Sequence, residues 1–268
     1  MASEFPDKKA ALRNVFTTTA ATYGEIRYFP IYGEWLVEAA AIAEGERVLD
    51  VACGRGAVLF PAAERVGPGG TVIGIDLADG MARETQAEIA RRGISQASAR
   101  QMDAEELDFP DGSFDAVLCG FSVQFFPQLG RVLREFRRVL RPGGRVAIST
   151  WAEDDPAWDW FDELRQAHGA SVKLGSQKLD DPEVIRRWFT DAGFAEVSVT
   201  RRELAMVYRD EEEWWNTEWS ISGRAGLEQL SPAALAAFKA ECFARARAQR
   251  APDGYHYALP AFLTVARG

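Results

Sequence analysis

Short apolar, β-branched runs alternate with amphipathic stretches between residues 46 and 150, which predicts repeated strand and helix units around a parallel sheet. Glycine, aspartate or proline bounds these runs, as is typical of strands that are buried on both faces. A more polar strand is predicted at 98–102. The apolar runs are residues 48–51, 71–75, 114–119 and 145–149.

A helical period precedes the last of these runs, because the apolar residues of 129–140 share one face and the arginines between them do not. The Pro-Gly-Gly sequence at 142–144 is expected to end this helix. Near the N-terminus, residues 7–44 predict two helices with a break near Phe29 and Pro30.

An aspartate or serine directly precedes a proline at three later positions, and each pair predicts the start of a helix. The pairs are Asp155-Pro156, Asp181-Pro182 and Ser231-Pro232. Two further strands are predicted at 196–202 and 256–266. The segment between them is too long for a hairpin loop, so we expect it to be a largely helical insertion.

These elements predict an α/β fold with a seven-stranded, doubly wound sheet, in which the last two strands are antiparallel to each other. Residues 1–45 are expected to form an N-terminal helical cap. The core of the fold is assigned to 46–202 together with 255–268, and the helical insertion over the substrate site to 203–254.

The charge and the cysteine content narrow the classes of function. Lys and Arg number 31 against 40 for Asp and Glu, a net charge of −9, which disfavours nucleic acid and anionic membranes as partners. No apolar run approaches the roughly 20 residues of a membrane span, and no secretory leader opens the chain, so we expect a cytoplasmic protein. Three cysteines and two histidines favour neither a disulfide framework nor a metal site. A small-molecule partner is the favoured class, with a homodimer as one possible assembly.

A carboxylate and a glycine turn end the first predicted strand. Asp50 is followed by Gly54 and Gly56, which allow a ligand to approach the backbone. A dinucleotide fingerprint would require glycine or alanine at the position of Leu59. Asp50 would also repel a pyrophosphate and attract an ammonium or a sulfonium. A cationic nucleotide without phosphates fits this turn better, although an NAD(P)-dependent oxidoreductase stays open as the alternative.

Two more acids end the next two strands. Asp76 stands where an acid accepts hydrogen bonds from both ribose hydroxyls, and Asp103 stands where a carboxylate can accept from an adenine amine. Because the carboxyl ends of parallel strands meet at one crevice, the three acids predict a single elongated site.

In order and spacing, the motifs of this region resemble those of class I S-adenosylmethionine-dependent methyltransferases, in the branch similar to the ubiquinone and menaquinone biosynthesis methyltransferases and to natural-product small-molecule methyltransferases. The motifs are residues 48–56, 74–81, 102–105, 108–115 and 140–144. The resemblance implies a Rossmann-like fold, S-adenosylmethionine as cofactor, and methyl transfer to a carbon, oxygen or nitrogen of a small aromatic or lipophilic acceptor.

The resemblance also implies roles for individual residues. Gly54 and Gly56 would line the methionine moiety, Asp50 would act near its ammonium, Asp76 would hold the ribose, and Asp103 would meet the adenine. An aromatic residue often lies over the cofactor in this family, and Tyr23 is assigned that place. The remaining residues predicted to bind the cofactor are Ala52, Leu77, Met81, Met102, Ala104 and Phe121.

The acceptor site and any catalytic base are less clearly marked in the sequence. Substrate contacts are predicted for Tyr28, Phe121, Gln124, Trp151 and Trp219. His168 and His256 are candidate bases only because histidine titrates near neutrality. Since no base can be assigned, a non-catalytic module that binds S-adenosylmethionine is a second alternative.

Overall fold

A computed structural model describes residues 4–153, 155–171 and 174–268. Its strands are β1 Arg47–Val51, β2 Thr71–Asp76, β3 Ala97–Gln101, β4 Phe114–Gly120, β5 Leu140–Trp151, β6 Glu196–Tyr208 and β7 Tyr255–Arg267. Its helices are α1 Glu4–Tyr23, α2 Tyr28–Ala39, α3 Leu59–Val66, α4 Asp79–Arg92, α5 Leu129–Val139, α6 Asp159–Ala167, α7 Pro182–Asp191, α8 Glu211–Ser220, α9 Arg224–Leu227 and α10 Pro232–Arg247. Single 3₁₀ turns lie at Val123–Phe125 and Pro156–Trp158.

The strands of the described chain form one seven-stranded sheet in the order β3-β2-β1-β4-β5-β7-β6. The pairs β2–β3, β1–β2, β1–β4 and β4–β5 are parallel, and β7 runs antiparallel to β5. The chain adds β2 and β3 on one side of β1 and then returns to add β4 on the other side. The strand order therefore reverses between β1 and β4, where open α/β sheets form their ligand crevice. The predicted fold class is confirmed.

Apolar layers cover both faces of the sheet, which is why β4 reads as an almost unbroken apolar run. Helix α5 shows how one layer is built. Its predicted stripe is buried against β4 and β5, whereas Arg134 and Arg137 on its other face are exposed. Burial of each large apolar side chain contributes roughly 1.5–3 kcal/mol. The buried residues of the stripe are Leu129, Val132, Leu133, Phe136 and Val139.

Helix starts follow the predicted capping pairs. In each pair the side chain before the proline accepts a hydrogen bond from a backbone N–H of the first turn, which satisfies a donor that has no partner within the helix. The acceptors are Asp155, Asp181 and Ser231, and the donors are Ala157, Glu183 and Ala234, respectively.

The predicted break between the two N-terminal helices is wrong in position. Phe29 and Pro30 lie inside the first turn of α2, and the chain breaks at 24–27 instead. Proline is tolerated in a first turn because the N–H that it lacks would have no helical partner there.

The chain divides into two compact units. The first comprises Met1–Ala152, Gly175–Arg202 and Ala261–Gly268, and the second comprises Glu153–Leu174 and Glu203–Pro260. The predicted helical segment 203–254 falls within the second unit.

The core of the second unit is aromatic. Trp214 is fully buried, and its ring centroid lies 5.1 Å from that of Trp158 and 4.9 Å from that of Phe161. Among the helices of the described ranges, none combines the length and the apolar character that crossing a bilayer requires.

Candidate active site

Two adjoining cavities of the first unit lie at the carboxyl ends of β1 to β4. The first contains Asp76 and Asp103, and the second contains Asp50. Both cavities are lined by Tyr23, Ala52, Gly54, Phe121 and Ser122. The two cavities therefore adjoin and make up one cleft, whose lining includes all three predicted acids.

Each residue predicted to bind the cofactor lines this cleft. The residues of the first cavity, besides those common to both, are Asp76, Leu77, Met81, Met102, Asp103 and Ala104. Those of the second are Asp50 and Gly56.

Asp76 organises the centre of the cleft. Its Oδ2 accepts from the N–H of Gly54 at 2.9 Å and its Oδ1 from the N–H of Ala78 at 2.8 Å. These bonds join the glycine turn after β1 to the start of α4, and each oxygen retains a second acceptor position. Burial raises the pKa of Asp76 to about 6, although both backbone hydrogen bonds act in the opposite direction.

Asp50 is a buried carboxylate without a partner. It is 1% exposed, and among the described residues neither of its oxygens has a hydrogen-bond partner in normal geometry. Burial and then the charge of Asp76 hold its pKa well above the usual range, while the N–H of Leu59 lowers it only in part. A buried carboxylate in this state favours a cationic ligand that donates hydrogen bonds.

The turn after β1 needs its glycines. Gly54 and Gly56 have φ of +51° and +84°, and a Cβ on Gly56 would lie 2.5 Å from the ring of Phe60. Ala52 has φ of +55°, a left-handed conformation that costs a non-glycine residue on the order of 1–3 kcal/mol. Thr85 Oγ1 donates to the carbonyl oxygen of Gly54 at 2.6 Å and so holds the turn in place.

Aromatic rings gather where the two cavities meet. Phe121, at the end of β4, also has a left-handed backbone, with φ of +52°, and its ring stacks on Trp151 at 4.0 Å. The ring centroids of Tyr32 and Phe29 lie 5.0 and 5.9 Å from that of Phe121. Phe29 in turn stacks on Tyr23 at 5.1 Å. This part of the cleft therefore presents an apolar aromatic wall.

The far end of the first cavity contains an ion pair that the sequence did not predict. Lys9 Nζ of α1 donates to Asp103 at 2.7 Å and to Glu105 at 2.5 Å. Glu105 belongs to the motif at 102–105, so the sequence could have marked it as a site residue. No sequence pattern marks Lys9, because α1 shows no clear amphipathic pattern.

The residues predicted to contact the substrate are placed differently from one another. Phe121 lines both cavities, and the ring of Trp151 stacks on it. Tyr28 packs against Trp151, with the centroids of these two rings 5.8 Å apart. Gln124 Nε2 donates to the carbonyl oxygen of Phe121 at 2.7 Å and supports the backbone there. Trp219 belongs to the second unit, where it stacks on Trp215.

Both candidate bases lie in the second unit, and each is paired with a carboxylate. His168 Nε2 lies 3.1 Å from Glu241 Oε2, and His256 Nε2 lies 2.8 Å from Asp253 Oδ1. All residues that line the cleft belong to the first unit. The structure therefore gives each histidine a neighbouring carboxylate within its own unit and adds no evidence for a role as base.

Residues 48–144 match the family model of the methyltransferase domain. The chain is 35% identical to nocamycin O-methyltransferase of Saccharothrix syringae, over 85% of this chain and 88% of that protein. It is 29% identical to a demethylmenaquinone methyltransferase of Symbiobacterium thermophilum, over 75% of this chain and 91% of that protein. The crystal structure of the YcgJ protein of Bacillus subtilis has the same fold, with a TM-score of 0.61 at 22% identity, over 88% of this chain and 99% of that one.

These matches confirm the family that the motifs resemble, and they give no support to the oxidoreductase alternative. The substrate class of the relatives is small molecules, as predicted. The chain belongs to the S-adenosylmethionine-dependent methyltransferases.

Proposed function

We propose that this enzyme transfers the methyl group of S-adenosylmethionine to an oxygen atom of a small aromatic acceptor. The aromatic wall at the junction of the two cavities is the observation that carries this proposal. The 35% identity with an O-methyltransferase over most of both chains supports oxygen as the methylated atom.

The cleft fits the cofactor at its charged end. The unpartnered carboxylate of Asp50 suits the methionine ammonium, because an ammonium supplies both the missing hydrogen bonds and the opposite charge. Asp76 and Asp103, farther along the cleft, would accept from the ribose hydroxyls and the adenine amine. When bound, S-adenosylmethionine supplies an electrophilic methyl group on a positively charged sulfur.

The aromatic wall suits a flat, apolar acceptor. Tyr23 and Phe121 line both cavities and Phe29 lines the second, so an acceptor held against them would be adjacent to the centre of the cofactor. Aromatic pairs contribute roughly 0.5–1.5 kcal/mol beyond the burial of their area. The wall would also exclude water from the reacting oxygen.

No side chain of the cleft is an evident general base. The hydroxyl of Tyr23 stays protonated, because burial and then the charge of Asp76 raise its pKa. Tyr23 would therefore donate a hydrogen bond and not take up a proton. We expect the acceptor to be a phenol or enol that ionises readily, so that alignment alone supplies most of the catalysis, in the range of roughly 7–11 kcal/mol.

The test is transfer of a labelled methyl group from S-adenosylmethionine to a panel of small phenols, enols and amines. Mass spectrometry and NMR would then locate the methyl group. Asp50→Asn should abolish transfer, while Asp108→Asn, at an exposed aspartate outside the cleft, should leave it unchanged. Methylation at carbon or nitrogen only would contradict the proposal.

Two further parts of the proposal concern partners and location. We propose that the enzyme acts in the cytoplasm. We also propose that it does not methylate nucleic acid, which the net charge of −9 supports. A homodimer stays a prediction, which light scattering of the purified protein tests. The role of residues 203–254 as a cover of the substrate site also stays a prediction, and hydrogen exchange with and without acceptor tests it.

A further inference from the structure

One face of α1 lines the first cavity. The residues of this face recur at helical spacing and line the same cavity as Asp103 and Glu105. They are Lys9, Leu12, Phe16 and Tyr23. Three of them are apolar or aromatic, and Lys9 is the one cation that the described residues of this face of α1 contribute to the cavity.

The ammonium of Lys9 joins two carboxylates that differ in exposure. The Glu105 side chain is 1% exposed, and it also accepts from the N–H and the Nε2 of Gln128 at 3.0 and 2.9 Å. The Asp103 side chain is 34% exposed, and its Oδ1 accepts from the N–H of Glu105 at 2.9 Å. Glu105 is therefore buried and held by its hydrogen bonds to Gln128. Lys9 binds Glu105 and Asp103 at the same time, and so it holds Oδ2 of Asp103 in place.

We propose that Lys9 is a positioning residue that determines specificity for the base of the cofactor. By holding the Asp103 carboxylate in a fixed position as an acceptor, it makes the cleft select a 6-amino purine over a 6-oxo purine. This inference rests on the proposed placement of the adenine beside Asp103.

The chemistry of the two purines gives the reason. An ionised carboxylate accepts from the amine of adenine but repels the carbonyl oxygen that replaces this amine in hypoxanthine. Without Lys9, Oδ2 of Asp103 loses its link to Glu105, and the Asp103 side chain, which is 34% exposed, can turn away from the base. The attraction of its carboxylate for the amine and its repulsion of the carbonyl oxygen then both weaken, so discrimination between the two bases falls.

Calorimetry with two ligands tests the inference: S-adenosylhomocysteine and S-inosylhomocysteine. We expect the unmodified enzyme to prefer the adenosyl ligand by about 100-fold or more, because a site built to accept a hydrogen bond from the amine rejects an analogue that cannot donate it. Lys9→Met should narrow this ratio by about tenfold, the equivalent of one hydrogen bond to a charged group. Lys9→Arg keeps the cation and should restore the ratio. Lys8→Met removes a cation from α1 outside the cavity lining and serves as the control.

The ratio separates positioning from a purely structural role. If Lys9→Met weakens both ligands equally and leaves the ratio intact, the inference is overturned and the proposed function stands. If the unmodified enzyme binds neither ligand, both are overturned. In an Asp103→Asn background, Lys9→Met should no longer change the ratio, and a continuing change would show that Lys9 does not act through Asp103.

Discussion

Replacement of Asp76 by asparagine should change how the stability of the ligand-free enzyme depends on pH. Asp76 is 8% exposed, and its burial raises its pKa from 3.8 to about 6 in the folded protein. The folded state therefore binds the proton of Asp76 more tightly than the unfolded state does. The stability due to this proton is complete below about pH 4 and is lost as the pH rises through 6.

The size of the effect follows from the two pKa values. Each tenfold change in proton affinity corresponds to about 1.4 kcal/mol, so the full loss is roughly 3 kcal/mol. About half of it falls between pH 5 and pH 7.5. The charge of Asp76 also raises the pKa of Asp50, so removing that charge acts in the same direction at both sites.

Urea unfolding at pH 5 and pH 7.5 measures this effect, because asparagine does not titrate. The free energy of unfolding of Asp76→Asn, minus that of the unmodified enzyme, should rise by about 1–2 kcal/mol between the two pH values. Acids that do not interact with Asp76 contribute equally to both proteins and cancel, whereas the smaller contribution of Asp50 adds to the rise. Asp108→Asn should show no such rise. A difference that stays constant with pH would refute the conclusion that burial dominates at Asp76.

Three further substitutions test other parts of the fold and the site. Asp50→Leu removes a buried carboxylate that has no partner, so thermal unfolding should show a gain of about 1–3 kcal/mol while calorimetry shows at least tenfold weaker S-adenosylhomocysteine binding; a loss of stability would contradict this. Gly33→Ala would place a Cβ 1.8 Å from the carbonyl oxygen of Ala57, so urea unfolding should show a loss of about 1–3 kcal/mol or more, and an unchanged midpoint would be inconsistent with this packing. Arg145→Met removes the ion-pair partner of the mostly buried Glu46, for an expected loss of about 3–5 kcal/mol in the same assay, and a loss below about 1 kcal/mol would show that the pair contributes little.

Features that depend on neighbouring residues could be predicted from the sequence. Asp50 and Asp76 lie where a strand ends, and the topology of a parallel sheet then brings such ends together without further information. The helix starts at Asp181 and Ser231 also need only a capping side chain and the proline that follows. These predictions succeed because the interactions that decide them span a few residues.

Features that depend on distant contacts could not be predicted. Lys9 and Asp103 are 94 positions apart, and no pattern in α1 marks the residue that reaches the cleft. The error at Phe29 and Pro30 has a different origin. Proline ends a helix when it lies in the interior but is compatible with the first turn, and the sequence alone does not distinguish the two positions.

Unfavourable local features accumulate at one edge of the sheet, and their position explains why a cleft exists there. The pairing of β1 with β4 ends at Asp50 and Leu118. Shortly after this point each of the two segments contains a residue with left-handed backbone, Ala52 after β1 and Phe121 after β4. Neither segment therefore continues as an extended strand. A continued pair of strands would fill the gap with backbone hydrogen bonds and leave no room for a ligand. The strain of these two residues and the burial of the unpartnered Asp50 carboxyl group are therefore costs of keeping the crevice open, and the apolar layers on both faces of the sheet offset them.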